Sequence, residues 1–194
     1  VERRASQMTE GDLLGLPKVN NNVTQWLAPE WLDTACKNPV VLFLDEVDRA
    51  TLEVRQGIFE LCDSRKIAGH SLHKDTLIFA CVNGGQHGAE YQVNEFDPAE
   101  LDRYTVFDVE PTVEDWLSWA EGKVADPIWD FINHNHNHLE HKDTFEPNKI
   151  YPSRRSWERL SQTLEKVGKI EHGTTLYHLS HSFIGFEGAM AFND

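Results

Sequence analysis

Long apolar runs are missing from this chain. No stretch approaches the roughly 18 consecutive apolar residues that span a bilayer, so the chain is read without a membrane segment. Nor does Val1-Glu-Arg-Arg4 open as a signal peptide does. Cysteine is scarce. Cys36, Cys62 and Cys81 are odd in number and lack metal-type spacing, and the last two sit in apolar stretches, which points to reduced thiols in a cytoplasmic setting. Positive charge is in deficit: 18 Lys and Arg face 32 Asp and Glu, a net charge of −14. That balance argues against broad nucleic-acid binding, which relies on basic residues to displace counterions, and leaves room only for a local basic patch. No internal repeat is present. What is there is ordinary for a globular protein, and 194 residues are enough for one large domain or two small ones.

The chain is organised around Pro39 to Arg49. Five apolar residues, Val40 to Leu44, predict a strand buried on both faces, as in a parallel α/β sheet. Asp45 and Glu46 follow at once, at the carboxyl edge where open α/β sheets bind their ligands. The plainer alternative is a solvated acidic turn. Upstream, Val1 to Met8 reads as a weak strand and Thr9 to Pro17 as a loop punctuated by glycines and a proline. Trp26 to Cys36 predicts a short helix with Trp31, Leu32 and Ala35 on one face.

Downstream the period changes. From Thr51 to Ser64, Val54, Ile58, Leu61 and Cys62 recur at helical spacing, with Glu53, Arg55, Gln56 and Glu60 opposite. Ile67 to Lys74 reads as a hairpin or loop. Thr76 to Val82 predicts a second buried strand ending at Asn83-Gly-Gly85, and Gln86 to Phe96 an excursion. A short helix over Asp97 to Arg103 and a third strand over Tyr104 to Val109 close this part. At Glu110-Pro111 a boundary is drawn. Thr112 to Asp115 forms a variant capping box, and everything beyond is helical or looped. The expected architecture is a parallel-sheet α/β domain over residues 1–110 and a small helical domain over residues 111–194.

Taken in order, these features resemble the AAA+ ATPases, most closely the MoxR-like branch with its phage-encoded relatives. Leu42-Phe-Leu-Asp-Glu-Val-Asp-Arg49 matches Walker B, Ala80-Cys-Val-Asn83 sensor 1, Leu101-Asp-Arg-Tyr104 the arginine finger and Tyr151-Pro-Ser-Arg-Arg-Ser-Trp157 sensor 2. There are three departures. The phosphate-binding loop G-x-x-x-x-G-K-[ST] is absent, Asn83 precedes Gly-Gly where many relatives have Pro, and the finger reads Arg-Tyr for Arg-Phe. The family's sheet places the strand of the phosphate loop centrally, so its loss would split the sheet and expose edges. We therefore expect an upstream segment of roughly 40–60 residues carrying a strand, loop and helix. The missing initiator Met and a C-terminus that stops within apparent helix agree with a longer natural chain.

The resemblance implies ATP and Mg²⁺ as ligands and a hexameric ring that remodels or assembles a protein partner. It casts Asp45 as the metal residue, directly or through water, and Glu46 as the group polarising the attacking water. Asn83 would hold that water and the γ-phosphate, against the alternative of an Asn-Gly turn. Arg103 would act as a finger in the neighbouring subunit, against a surface pairing with Asp102 or Glu100. Arg155, with Arg154 as competitor one step around the helix, would contact the γ-phosphate. Asp48 is read as a helix N-cap or charge partner. His134, His136, His138 and His141 invite a metal reading, but their alternation with Asn favours a polar surface loop. A catalytically silent assembly module is the rival function. A helicase built on Asp45-Glu-Val-Asp48 would need a second RecA-like domain, for which the helical remainder leaves no room.

Overall fold

The computed structural model describes residues 1–83, 96, 98–168 and 173–194. The expected excursion from Gln86 to Phe96, Phe96 itself apart, lies outside the described residues, as do Gly84, Gly85 and Asp97. The chain divides into two compact units, Val1–Phe107 and Asp108–Asp194. No helix among the described residues is long and apolar enough to cross a membrane.

The first unit is α/β. Its central sheet is parallel, with β1 (Glu2–Arg4) and β7 (Leu77–Ala80) on either side of β4 (Val41–Asp45). Register places Arg4 opposite Asp45, and Leu44 opposite Ala80. Leu42 and Leu44 are fully buried against α2 (Glu30–Lys37) and α3 (Leu52–Ser64), which contribute Trp31, Leu32, Val54, Ile58 and Leu61. The expectation of a strand buried on both faces fails. Val41, Leu77 and Phe79 point the other way and are 50–57% exposed, because no described element covers that face. The third expected strand also fails to form: residues 105–109 join no ladder, and Val106, Phe107 and Val109 are exposed.

The stretch from Thr9 to Leu27 holds more structure than its loop-like composition predicts. Thr9 caps α1 (Glu10–Leu14) in a reciprocal box with Asp12. The Thr9 N–H and hydroxyl that Asp12 accepts hold its carboxyl below the usual range. An antiparallel hairpin follows, β2 (Leu16–Asn20) against β3 (Val23–Leu27), turning at Asn21 and Asn22 with φ of 49° and 61°. Two left-handed residues match the twist of a two-residue hairpin turn, and Asn tolerates that region. Trp26 is therefore a strand residue paired with Pro17, and α2 begins only at Glu30 with Pro29 as N-cap. Gly15, at φ 89°, has to be glycine, since a Cβ there would sit 1.9 Å from the Leu27 carbonyl oxygen. A second small hairpin, β5 (Lys66–Ile67) with β6 (His70–Ser71), follows α3, and α4 (Pro98–Leu101) precedes Arg103.

The second unit is helical. Thr112 and Asp115 form the full capping box of α5 (Val113–Ala120), followed by α6 (Asp126–His134), α7 (Arg154–Val167) and α8 (Thr174–Asn193). Trp157, fully buried, is the centre of the core with Ile128, Ile132, Leu139, Leu160 and Ile184. Its indole N–H donates to the His138 carbonyl at 2.9 Å, so the large ring is buried without an orphaned donor. Val167, at helical spacing from Leu160 and Leu164, is 60% exposed, while Ser161 is buried and accepts the Ala125 N–H. Within α8 the helix breaks at Gly185 (φ 73°, ψ −177°), where the chain passes the Ile150 carbonyl.

Candidate functional site

The candidate site is the carboxyl edge of the parallel sheet, where the ends of β1, β4 and β7 meet. Asp45 is the last residue of β4, and its side chain accepts the Glu46 N–H at 3.0 Å. Glu46 takes a left-handed conformation (φ 54°, ψ 41°), unusual for a residue with a Cβ, which turns the chain sharply off the strand. A 3-10 turn, Val47–Arg49, then leads into α3, whose N-cap is Thr51. Two carboxylates thus stand side by side at one strand end, Asp45 closing the strand and Glu46 opening the turn.

Each carboxylate has neighbours that the sequence did not point to. Arg4 at the end of β1 lies 3.9 Å from Asp45 Oδ2, and Arg49 lies 3.9 Å from Glu46 Oε1. The Ser6 hydroxyl donates to Glu46 Oε2. Only the parallel register of β1 on β4 brings residues 4 and 6 here, and a three-residue strand carries no readable register signal. Asp45, with its side chain 32% exposed, offers hard oxygen donors of the kind that would suit Mg²⁺. Cys81, on the next strand end, has its thiol pushed up, first by desolvation and then by the Asp45 charge.

Asn83 lies just past β7. The Cys81 N–H donates to Leu44 O at 2.8 Å and the Val47 N–H to Cys81 O at 3.3 Å, so the two strand ends run together into the site. The Asn83 N–H then donates to Asp48 Oδ2 at 2.8 Å. Thr51, not Asp48, is the N-cap of α3, which overturns that half of the expectation for Asp48, and Asp48 is 1% exposed. Its carboxylate instead ties the turn after β4 to the end of β7. Asp45, Glu46 and Asn83 are thereby gathered at one edge, with Ser6 and Asp48 as supports.

Arg103 is placed elsewhere in this unit. Its guanidinium donates to Ala99 O, lies 3.7 Å from Asp63 and rests over the Phe59 ring at 5.2 Å. The surface partner is therefore Asp63 of α3, not Asp102 or Glu100. Glu100 is held 3.2 Å from Arg55, and both are nearly buried, which also removes Arg55 from the solvent face expected for it. Asp63 sits in the last turn of α3, about 18 Å along the helix from the carboxylate turn at its start. Among the described residues of this unit no contact brings Arg103 to Asp45 or Glu46.

In the second unit the two adjacent arginines have different fates. Arg154 donates to Glu140 at 3.1 and 3.3 Å, to Thr112 O at 3.0 Å and to Pro111 O at 2.6 Å, so its fork is spent inside the unit. Arg155, the second residue of α7 and inside the Ser153–Ser156 capping box, is exposed and without a partner among the described residues. The histidine tract disperses: His134 bonds Asp130 O, His138 packs on Phe131 and His141 stacks on Tyr151. Among the described residues no three His, Cys, Asp or Glu side chains are grouped to hold a metal ion.

The geometry defines an α/β unit with paired carboxylates at the carboxyl edge of a parallel sheet, and a helical unit bearing an exposed arginine that has no partner among the described residues. Neither the protein-family models nor the curated proteins compared with the chain match it.

Proposed function

We propose that this chain is the catalytic part of an ATPase of the AAA+ kind, MoxR-like, working as a ring on a protein partner. The observation that carries the reading is the pair Asp45 and Glu46 at the carboxyl edge of a parallel sheet, with the Asn83 N–H tied to Asp48 of the same turn. In this reading Asp45 holds Mg²⁺, which supplies charge neutralisation on the phosphates. Glu46 orients and polarises the water that attacks the γ-phosphorus, and the Asn83 carboxamide holds that water against the phosphate oxygen. Ser6 and Arg49 keep the Glu46 carboxylate in place between turnovers. Arg155 offers positive charge to the phosphates. Arg103, remote from the carboxylates of its own unit, is assigned to the neighbouring subunit's nucleotide.

The phosphate cradle is assigned to sequence beyond these residues. Support comes from the sheet itself: among the described residues the face of Val41, Leu77 and Phe79 is uncovered, and residues 105–109 join no ladder. Parallel sheets are normally covered on both faces. One further strand with its helix would cover that face and give residues 105–109 a place to pair. The absent glycine-rich loop equally favours the rival reading, a silent assembly module, and a single experiment separates them. The natural full-length protein should hydrolyse ATP with Mg²⁺, and Glu46→Gln should keep ATP binding while lowering turnover at least about 100-fold. Unchanged hydrolysis in Glu46→Gln moves the base elsewhere; no binding and no hydrolysis in the wild type leaves the silent module.

A further inference from the structure

We propose that Asp48 is a positioning residue that couples Asn83 to the Glu46 turn, so that the two groups sharing the attacking water move as one body. This deepens the ATPase reading and rests on it for its catalytic consequence. Strand β7 ends at Ala80, and the last ladder-like bonds are those of Cys81 with Leu44 and Val47. Two residues later the Asn83 N–H finds one acceptor, the Asp48 carboxylate at 2.8 Å. Asp48 is 1% exposed and stands two residues after Glu46, inside the 3-10 turn that Glu46 opens.

A carboxylate buried at this depth carries a desolvation cost that a surface charge does not. Among the described residues only one oxygen is satisfied: Oδ1 has no partner, while Oδ2 takes the Asn83 N–H. Such an arrangement is poor as a stabilising device, since an apolar side chain of similar size would avoid the unsatisfied oxygen. Its specific effect is geometric. It closes a bridge from the turn of β4 to the end of β7, at the one place where an error of an ångström would separate a water from its base. The exposed Asn83 carboxamide has no other anchor among the described residues, so its placement depends on this main-chain bond.

The test compares two substitutions of similar shape in the natural full-length protein. Asp48→Leu removes the acceptor and keeps the volume, whereas Asp48→Asn keeps an oxygen for the Asn83 N–H. Amide exchange at Asn83 should accelerate about tenfold or more in Asp48→Leu and stay near wild type in Asp48→Asn. In MgATP hydrolysis Asp48→Leu should lower kcat with KM little changed, and Asp48→Asn should restore most of it. On an Asn83→Ala background Asp48→Leu should add no further loss, because both act through one group. If Asp48→Leu does not fold, Asp48→Ala replaces it in the same comparison. The proposal is overturned if Asn83 exchange is unchanged without the acceptor, or if the Asp48 and Asn83 losses multiply. Absence of hydrolysis in the wild type would instead sink the ATPase reading, and exchange at Asn83 would still decide whether the bridge exists.

Discussion

Replacing Arg154 and Arg155 in turn should separate a structural arginine from a functional one. Arg154 makes four hydrogen bonds, two to the Glu140 carboxylate and one each to Pro111 O and Thr112 O, with its side chain 22% exposed. It thus pins α7 to the capped start of α5. Hydrogen bonds to a charged group contribute about 1.5–3 kcal/mol each when sheltered, but Glu140 is 37% exposed and screening discounts that pair. We expect Arg154→Ala to destabilise the helical unit by roughly 2–4 kcal/mol. For a unit of this size that is a fall of about 10–20 °C in melting temperature. Arg155→Ala removes an exposed side chain without a described partner and should cost no more than about 0.5 kcal/mol. Four of the six tryptophans, Trp116, Trp119, Trp129 and Trp157, lie in the helical unit, so tryptophan fluorescence reports its melting. Hydrolysis measured well below that melting should fall for Arg155→Ala. The reasoning is refuted if Arg155→Ala melts as early as Arg154→Ala, or if Arg154→Ala melts with the wild type.

Two further outcomes follow from the backbone and the caps. Gly185→Ala should cost on the order of 3 kcal/mol or more, because φ 73° with ψ −177° is open only to glycine and a Cβ would lie 2.0 Å from Ile150 O; a denaturant midpoint unchanged by the substitution would contradict the kink. Asp12 and Asp115 are held below the usual carboxylate range by the threonine N–H and hydroxyl they accept. Their contribution to stability is therefore complete above about pH 4 and is lost as pH falls through their lowered folded values. The melting temperature of Asp12→Asn/Asp115→Asn should trail the wild type near neutral pH and converge with it in acid, whereas a pH-independent gap would contradict the linkage.

Much of this architecture is legible in particular residues. The apolar run before Asp45 marks β4, the spacing of Val54, Ile58 and Leu61 marks the buried face of α3, and Thr112 with Asp115 marks the start of α5. The same Thr-x-x-Asp signal stands at Thr9 and Asp12, where Gly11, Gly15 and Pro17 argued for a loop and obscured a capped helix. The β2–β3 hairpin escapes because every residue in it is exposed, so no face imposes alternation. At the site, Asp45, Glu46 and Asn83 are readable because they end apolar strands. Ser6, Arg4 and Asp48 are not, since their roles depend on strand register and on one long-range backbone bond. Arg103 has the residue type expected of it, but its packing on Phe59 and Asp63 is a tertiary fact.

Complementation between defective subunits tests the central claim most directly. Asp45→Ala lacks the carboxylate proposed to hold Mg²⁺, and Arg103→Ala lacks the group proposed to reach the neighbour's nucleotide. In the natural full-length protein each should be inactive alone. Mixed rings would contain interfaces with an intact Asp45 on one subunit and an intact Arg103 on the next. An arginine supplied in trans contributes about 10³–10⁵ in rate, so even a minority of repaired interfaces should return measurable ATP hydrolysis. Recovery on mixing is the predicted result. Near-wild-type hydrolysis by Arg103→Ala alone would contradict it, leaving Arg103 as no more than the surface partner of Asp63.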